Sequence, residues 1–173
     1  MTRWLLCDYG QVLSTAPPAD EWDDLRRVAG GAPDARFHSL YWEHRQAYDR
    51  GDLEVGAYWR LVLDRSPGPD ELQELVRLDT LMWLHPDEPS VKAATRAGER
   101  GVRLAIFSKA PVEVAAGIDL LEWLEPFEKR FYSCRLRAAK PEPEAYSAVL
   151  AGLEASPDQV TFFEDRPPNV AAA

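Results

Sequence analysis

The chain is short of cysteine, histidine, lysine and net positive charge, and each shortage excludes something. Two cysteines, Cys7 and Cys134, stand among 173 residues, both in apolar stretches. They read as buried reduced thiols rather than as a disulfide framework. Cys134 has no histidine or second cysteine at metal-ligand spacing, which excludes a zinc site built on it. The formal net charge is −9, with 20 basic against 29 acidic residues, and a nucleic-acid binder would usually be basic. No apolar run approaches the roughly 20 residues of a membrane span. The run Trp4–Cys7 is too short for a signal peptide and leads straight into Asp8. The expectation is a cytoplasmic protein with no nucleic-acid or membrane partner; oligomeric state is not legible. Of the 20 cations 16 are Arg and 4 are Lys, so each lysine is a little more informative than usual.

What is present organises into two characters. Residues 3–7 look like a buried strand followed by a loop through Gly10. From 15 to 85 the pattern is helical: Asp20–Ala29, then 34–50, 53–64 and 69–83. The second of these puts Phe37, Leu40, Tyr41, His44, Ala47 and Tyr48 on one stripe and stops at Gly51. Its aromatics read as local core and its charges as solvated. The last carries Leu72, Leu75, Val76, Asp79 and Met82 on one face. After His85-Pro86 strands and helices alternate: helix 88–99, strand Val102–Phe107, a helix from Pro111, a short strand near Phe131–Leu136, helix Pro141–Leu153 and strand Val160–Phe163. Alternation of this kind predicts an α/β fold, a doubly wound parallel sheet with helices on both faces. The core would comprise 1–14 and 86–173, with 15–85 inserted after the first strand. A length of 173 residues suits one domain with a modest insertion. Pro167 to Ala173 looks like the first turns of a helix, and the expectation is that the natural protein continues.

Four short pieces carry the chemistry. Asp8 ends the first apolar run, Ser108-Lys109 ends the second, Lys140 precedes Pro141, and Glu164-Asp165 follows Val160-Thr161-Phe162-Phe163. Ligands bind beyond the carboxyl ends of the strands in an open α/β sheet, so these groups converge. Each alone has a plainer reading: Asp8 as a turn residue, Ser108 as a helix cap, Lys140 as a surface cation, Glu164-Asp165 as a turn neutralised by Arg166. Together they are the set needed to move a phosphoryl group onto a carboxylate beside a divalent cation. Adjacent acids repel each other, and Mg²⁺, an oxygen-ligand ion, would relieve that.

The order Asp, Ser, Lys, acidic pair resembles the haloacid dehalogenase-like hydrolase superfamily. Asp8-Tyr9-Gly10-Gln11-Val12 is similar to its first motif in the variant Asp-x-Gly-x-Val. Phe107-Ser108-Lys109-Ala110-Pro111 is similar to the second, Lys140-Pro141-Glu142-Pro143-Glu144-Ala145-Tyr146 to the third, and Glu164-Asp165-Arg166-Pro167-Pro168-Asn169-Val170 to the fourth. The insertion resembles the helical cap of the subclass whose cap follows the first strand. The resemblance implies that Asp8 attacks phosphorus. It implies that Asp8, the Gly10 carbonyl and Asp165 bind Mg²⁺, with Glu164 holding metal-bound water or aiding indirectly. Ser108, the Lys109 backbone N–H and Lys140 would hold the phosphoryl oxygens of a small phosphorylated metabolite.

Three positions depart from the family pattern. Gly10 stands where a second Asp would protonate the leaving group, a help worth about 10²–10⁴-fold. This predicts a preference for leaving oxygens that need little protonation, such as those of sugar 1-phosphates or aryl phosphates. Lys109 replaces Asn, and Glu164 replaces the first Asp of the pair. Alternatives to a phosphate monoester hydrolase are a weakened member that binds a phosphorylated ligand or partner, and a haloacid dehalogenase, which needs no metal. A phosphorylated signalling receiver domain is excluded, since its acidic pair precedes the phosphorylated Asp.

Overall fold

Short apolar runs make the strands. In a computed structural model that describes residues 3–31 and 33–173, β1 (Trp4–Cys7), β2 (Arg103–Ser108), β3 (Phe127–Tyr132) and β4 (Val160–Phe163) form one sheet. Its order is β3-β2-β1-β4 and every pairing is parallel. Residues 1, 2 and 32, which belong to the expected segments 1–14 and 15–85, lie outside the described residues. The central strands β1 and β2 are buried along almost their whole length, as strands covered on both faces must be.

Among the described residues, five helices lie between β1 and the next core helix: α1 (Ala19–Val28), α2 (Asp34–Glu43), α3 (Arg45–Arg50), α4 (Val55–Leu63) and α5 (Pro69–Leu81). They close on a core of their own, with Leu25, Phe37, Tyr41, Tyr58, Trp59 and Leu75 almost wholly buried. The chain then runs through α6 (Glu88–Glu99), α7 (Val112–Asp119), α8 (Ser133–Leu136), α9 (Pro143–Leu153) and α10 (Pro167–Ala172). Cys7, Leu104 and Ile106 on one sheet face pack with Ala94 of α6 and Val114, Ala115 and Ile118 of α7. Trp4, Leu6, Ala105 and Phe107 on the other pack with Ala145, Val149 and Leu153 of α9. Both cysteines are free and buried. Burial pushes the Cys7 thiol up to about 12, which makes it inert. Among the described residues no helix is long and apolar enough to cross a membrane.

Two expectations need correction. The single helix over 34–50 is two helices that break at His44 (φ −104°, ψ −3°). The inner stripe runs through Phe37, Tyr41, Arg45, Tyr48 and Asp49, not through His44. Arg45 is therefore not a solvated charge. Its Nε lies 2.7 Å from Asp49 Oδ1 and its Nη1 2.8 Å from Asp79 Oδ1, and these pairings make burial of the guanidinium tolerable. The strand expected at Phe131–Leu136 lies four residues earlier, and residues 133–136 are helical, Cys134 among them. β3 is an edge strand whose middle, Glu128-Lys129, is exposed. Charged edge strands discourage stray pairing and carry no apolar signal.

Candidate active site

Sheet register brings the chemical groups together. Cys7 pairs with Ile106 on one side and Phe163 on the other. Asp8 and Glu164, the next residues, thus leave neighbouring strands side by side, and Ser108 ends β2. The chain runs outward from β1 through β2 to β3 and then returns to β4 on the opposite flank. Such a reversal opens a crevice at the carboxyl edge of the sheet.

Asp8 is 7% exposed. Its Oδ1 accepts the Tyr9 N–H at 2.7 Å and lies 2.9 Å from Lys140 Nζ. Lys140 comes from the loop between α8 and α9, and its buried Nζ sits 5.2 Å and 5.4 Å from the ring centroids of Phe107 and Phe162. Ring faces at that distance stabilise a desolvated ammonium. The same Nζ donates to Glu164 Oε2 at 2.6 Å, and Glu164 Oε1 accepts the Arg166 N–H at 3.1 Å. Carboxylate oxygens of Asp8, Glu164 and Asp165 all lie within 4.8 Å of one another.

The electrostatics follow from this crowding. Burial pushes Asp8 up to about 6, against the pull of Lys140 and with the push of Glu164. Burial also raises Glu164, but the hydrogen bond and charge of Lys140 outweigh it and leave that carboxyl below its ordinary value. Burial, then the hydrogen bond and charge of Glu164, push Asp165 upward. One ammonium therefore serves two of three crowded acids. A divalent cation with oxygen ligands fits this donor set, since it would replace like-charge repulsion with attraction. The carboxylates of Asp8, Glu164 and Asp165 are close enough together to share it, and Gly10 lines the same cavity. Glu164 already spends its two oxygens on Lys140 and on the Arg166 amide, and its side chain is wholly covered.

A cavity of about 620 Å³ opens over these groups. Asp8, Gly10, Ser108, Lys109 and Asp165 line it from the sheet side, and Trp42, Asp49 and Trp83 from the helical side. Lys140 and Glu164 are not in the wall; they lie behind Asp8 as a buried support. The Ser108 hydroxyl makes only a long contact of 3.4 Å to the Lys109 carbonyl, so it can turn to another partner. The Ala110 N–H donates to Ser133 Oγ at 3.1 Å, and that hydroxyl donates to the Asp49 carbonyl at 2.5 Å. The loop after β2 is thereby tied to α3. Gly10 is not in a left-handed conformation, and a Cβ there would meet only Trp83 Cζ3, at 3.8 Å.

Sequence reading missed three features in and behind this wall: the Arg45–Asp49–Asp79 cluster, the Trp83 indole beside Gly10, and Ser133. One signal was available. Asp79 stands on the apolar face of α5 beside Leu75 and Met82, and a carboxylate there demands a buried partner. Ser133 and Trp83 carry no pattern that a single sequence reveals.

Structures of similar fold include the HAD family enzyme BT-2542 of Bacteroides thetaiotaomicron, at 14% identity and a TM-score of 0.79, covering 99% of this chain and 88% of that one. The wild-type form of that enzyme in complex with magnesium and inorganic phosphate matches at 15% identity and 0.76, covering 99% and 89%. The L-2-haloacid dehalogenase of Xanthobacter autotrophicus matches at 15% and 0.71, covering 99% and 73%. At these identities the likeness concerns the fold. A haloacid dehalogenase-like hydrolase family model matches residues 19–173. With a parallel sheet, an acidic cluster at its carboxyl edge and a family match over most of its length, the chain belongs to the haloacid dehalogenase-like hydrolases.

Proposed function

We propose that this hydrolase is a Mg²⁺-dependent phosphatase of small phosphate monoesters that works through an aspartyl-phosphate on Asp8. The observation that carries the reading is the placement of Asp8, 2.9 Å from Lys140 and within 4.8 Å of Asp165, in the wall of a cavity at the carboxyl edge of the sheet. In this scheme an Asp8 oxygen attacks phosphorus and the bond to the leaving oxygen breaks. Water then attacks the same phosphorus, the bond to Asp8 breaks, and inorganic phosphate departs. Lys140 keeps Asp8 ionised in a desolvated site, and Glu164 holds Lys140 in place. The Ser108 hydroxyl and the Lys109 backbone N–H bind the phosphoryl oxygens. Bound Mg²⁺ would supply charge neutralisation at the phosphoryl group, the largest need of such transfers. Its ligands would be Asp8, Asp165 and the Gly10 carbonyl, and Glu164 acts through Lys140 instead of as a direct ligand. The helical block 15–85 serves as a cap that closes the cavity and selects the substrate. Cytoplasmic location belongs to the same reading, supported by two free thiols.

The crowding of Glu164 and Asp165 against Asp8 favours this over carbon–halogen chemistry, since a metal-free dehalogenase would have no use for the pair. Gly10 favours one further reading, a member with weak turnover that binds a phosphorylated ligand or partner. Phosphate release from a panel of monoesters, with Mg²⁺ or with EDTA, separates the three. The proposal expects release that EDTA and Asp8→Asn each abolish. Release of halide from 2-haloacids in EDTA, or ligand binding without any release, would replace it.

A further inference from the structure

The cavity wall carries two cations that the reaction scheme leaves unused. Lys109 follows Ser108, and Arg166 precedes α10; both residues line the cavity. Every other cation near the site is committed. Lys140 bridges Asp8 and Glu164, and Arg45 bridges Asp49 and Asp79. Among the described residues neither Lys109 nor Arg166 has an ion-pair partner within 4 Å. The acid of the helical side that acts on Lys109, Asp49, already accepts from Arg45 Nε at 2.7 Å. Burial, then the charges of Arg166 and Lys140, lower the Lys109 pKa and outweigh the pull of Asp49 and Asp8, as expected of an ammonium among like charges whose nearby acids are already paired with other cations.

Two unpartnered cations on one wall are uncommon in a chain of net charge −9 with only 4 lysines. The transferring phosphoryl group is already provided with Ser108, a backbone N–H and the Lys140–Asp8 pair. We propose that Lys109 and Arg166 form a second anion subsite, so that the substrate is a phosphate ester carrying a further anionic group, a carboxylate or a phosphate, a few atoms from the ester. The proposal rests on the phosphatase reading and sharpens it. Guanidinium and ammonium divide the work: Arg166 offers a planar fork of donors, and Lys109 a compact charge beside Ser108. The charges of Lys140 and Asp8 both act on Lys109, and this sets the scale, since an anion on Lys109 then lies near the ester rather than at a remote end of the cavity.

Calorimetry on the Mg²⁺-loaded protein tests this with phosphonoacetate and methylphosphonate, which differ by one carboxylate and cannot be hydrolysed. The proposal expects wild-type protein to bind phosphonoacetate about tenfold more tightly, the worth of one modest charge-assisted contact. Lys109→Met should remove most of that preference and Arg166→Gln part of it, with thermal melts confirming that both variants fold. In turnover, Lys109→Met should lower kcat/KM for phosphoglycolate about tenfold more than for its neutral amide. Equal wild-type binding of the two phosphonates overturns the subsite and leaves the phosphatase standing. So does a loss in Lys109→Met that is the same for both probes, because that places the ammonium on the phosphoryl group. Retained preference for phosphonoacetate with no hydrolysis of any ester overturns the phosphatase and keeps the subsite. Binding of neither probe overturns both.

Discussion

At the scale of single residues, Gly10 and Asp8 decide the chemistry. Gly10 removes the side chain that would protonate a leaving group, yet its backbone would accept one: the nearest atom to an added Cβ is Trp83 Cζ3 at 3.8 Å. Gly10→Asp is therefore expected to fold and to speed hydrolysis of a primary alkyl phosphate about 10²-fold while barely changing an aryl phosphate. Steady-state assays on the two esters check this. Equal wild-type rates on both, with chemistry limiting, would contradict it. Asp8 adds a pH dependence. Its pKa is pushed from an ordinary 3.8 to about 6 by burial, and a metal ligand must be deprotonated. Apparent Mg²⁺ affinity should thus fall about tenfold per pH unit below about 6, and titration at about pH 5 and about pH 7 reads it. The sign for folding is the opposite of a paired acid. The metal-free native state holds this proton more tightly than the unfolded chain, so Asp8 costs stability as pH rises from 3.8 through about 6. Mg²⁺ should recover that cost, and a flat affinity across this range would contradict the assignment of Asp8 as a ligand.

At the scale of elements, the helices between β1 and β2 are joined by charge as well as by apolar contact. Arg45 of α3 binds Asp79 of α5, and the Tyr41 hydroxyl of α2 donates to the same carboxylate at 2.5 Å. Tyr58 of α4 stacks on Tyr48 with ring centroids 4.2 Å apart and donates to the Tyr41 carbonyl. Arg45→Met leaves Asp79 and Asp49 buried without their ion-pair partner, and loss of one partner from a buried pair costs about 3–5 kcal/mol. A urea melt should show that loss, and Arg45→Met with Asp79→Leu together should recover most of it. A drop within ~0.5 kcal/mol for the single variant would mean the cluster is solvated. This cluster also marks where sequence reading stops. Apolar period located α1, α4, α5 and α6 to within two or three residues because their inner faces are aliphatic or aromatic. It placed His44 inward and left Arg45 in solvent because an arginine scores as polar until its partners are known, and one partner sits 34 residues away. β3 escaped for the matching reason: an edge strand needs charge in its middle, and charge erases the pattern.

At the scale of the whole molecule, the most legible feature was the order of four short motifs on alternating strands and helices. A parallel sheet converts that order into proximity, because its register sets Asp8 beside Glu164 without any further instruction. The strands that position the site, β1, β2 and β4, are apolar runs ending in a polar residue, and all three could be read directly. What one sequence could not supply was depth. Lys140 was expected on the phosphoryl oxygens and Glu164 on metal-bound water or in indirect aid of the metal; both lie behind Asp8, where Lys140 Nζ joins the two carboxylates. The same depth separates Lys109, which faces the cavity, from Lys140, which does not. The central claim is that Asp8 takes the phosphoryl group, and rapid-quench mass spectrometry of the Mg²⁺-loaded protein with an aryl phosphate tests it most directly. The account predicts a transient phosphoprotein with the added group on the peptide that contains Asp8, absent in Asp8→Asn. Turnover that proceeds with no phosphoprotein, or a phosphoryl group found on any other residue, would contradict it.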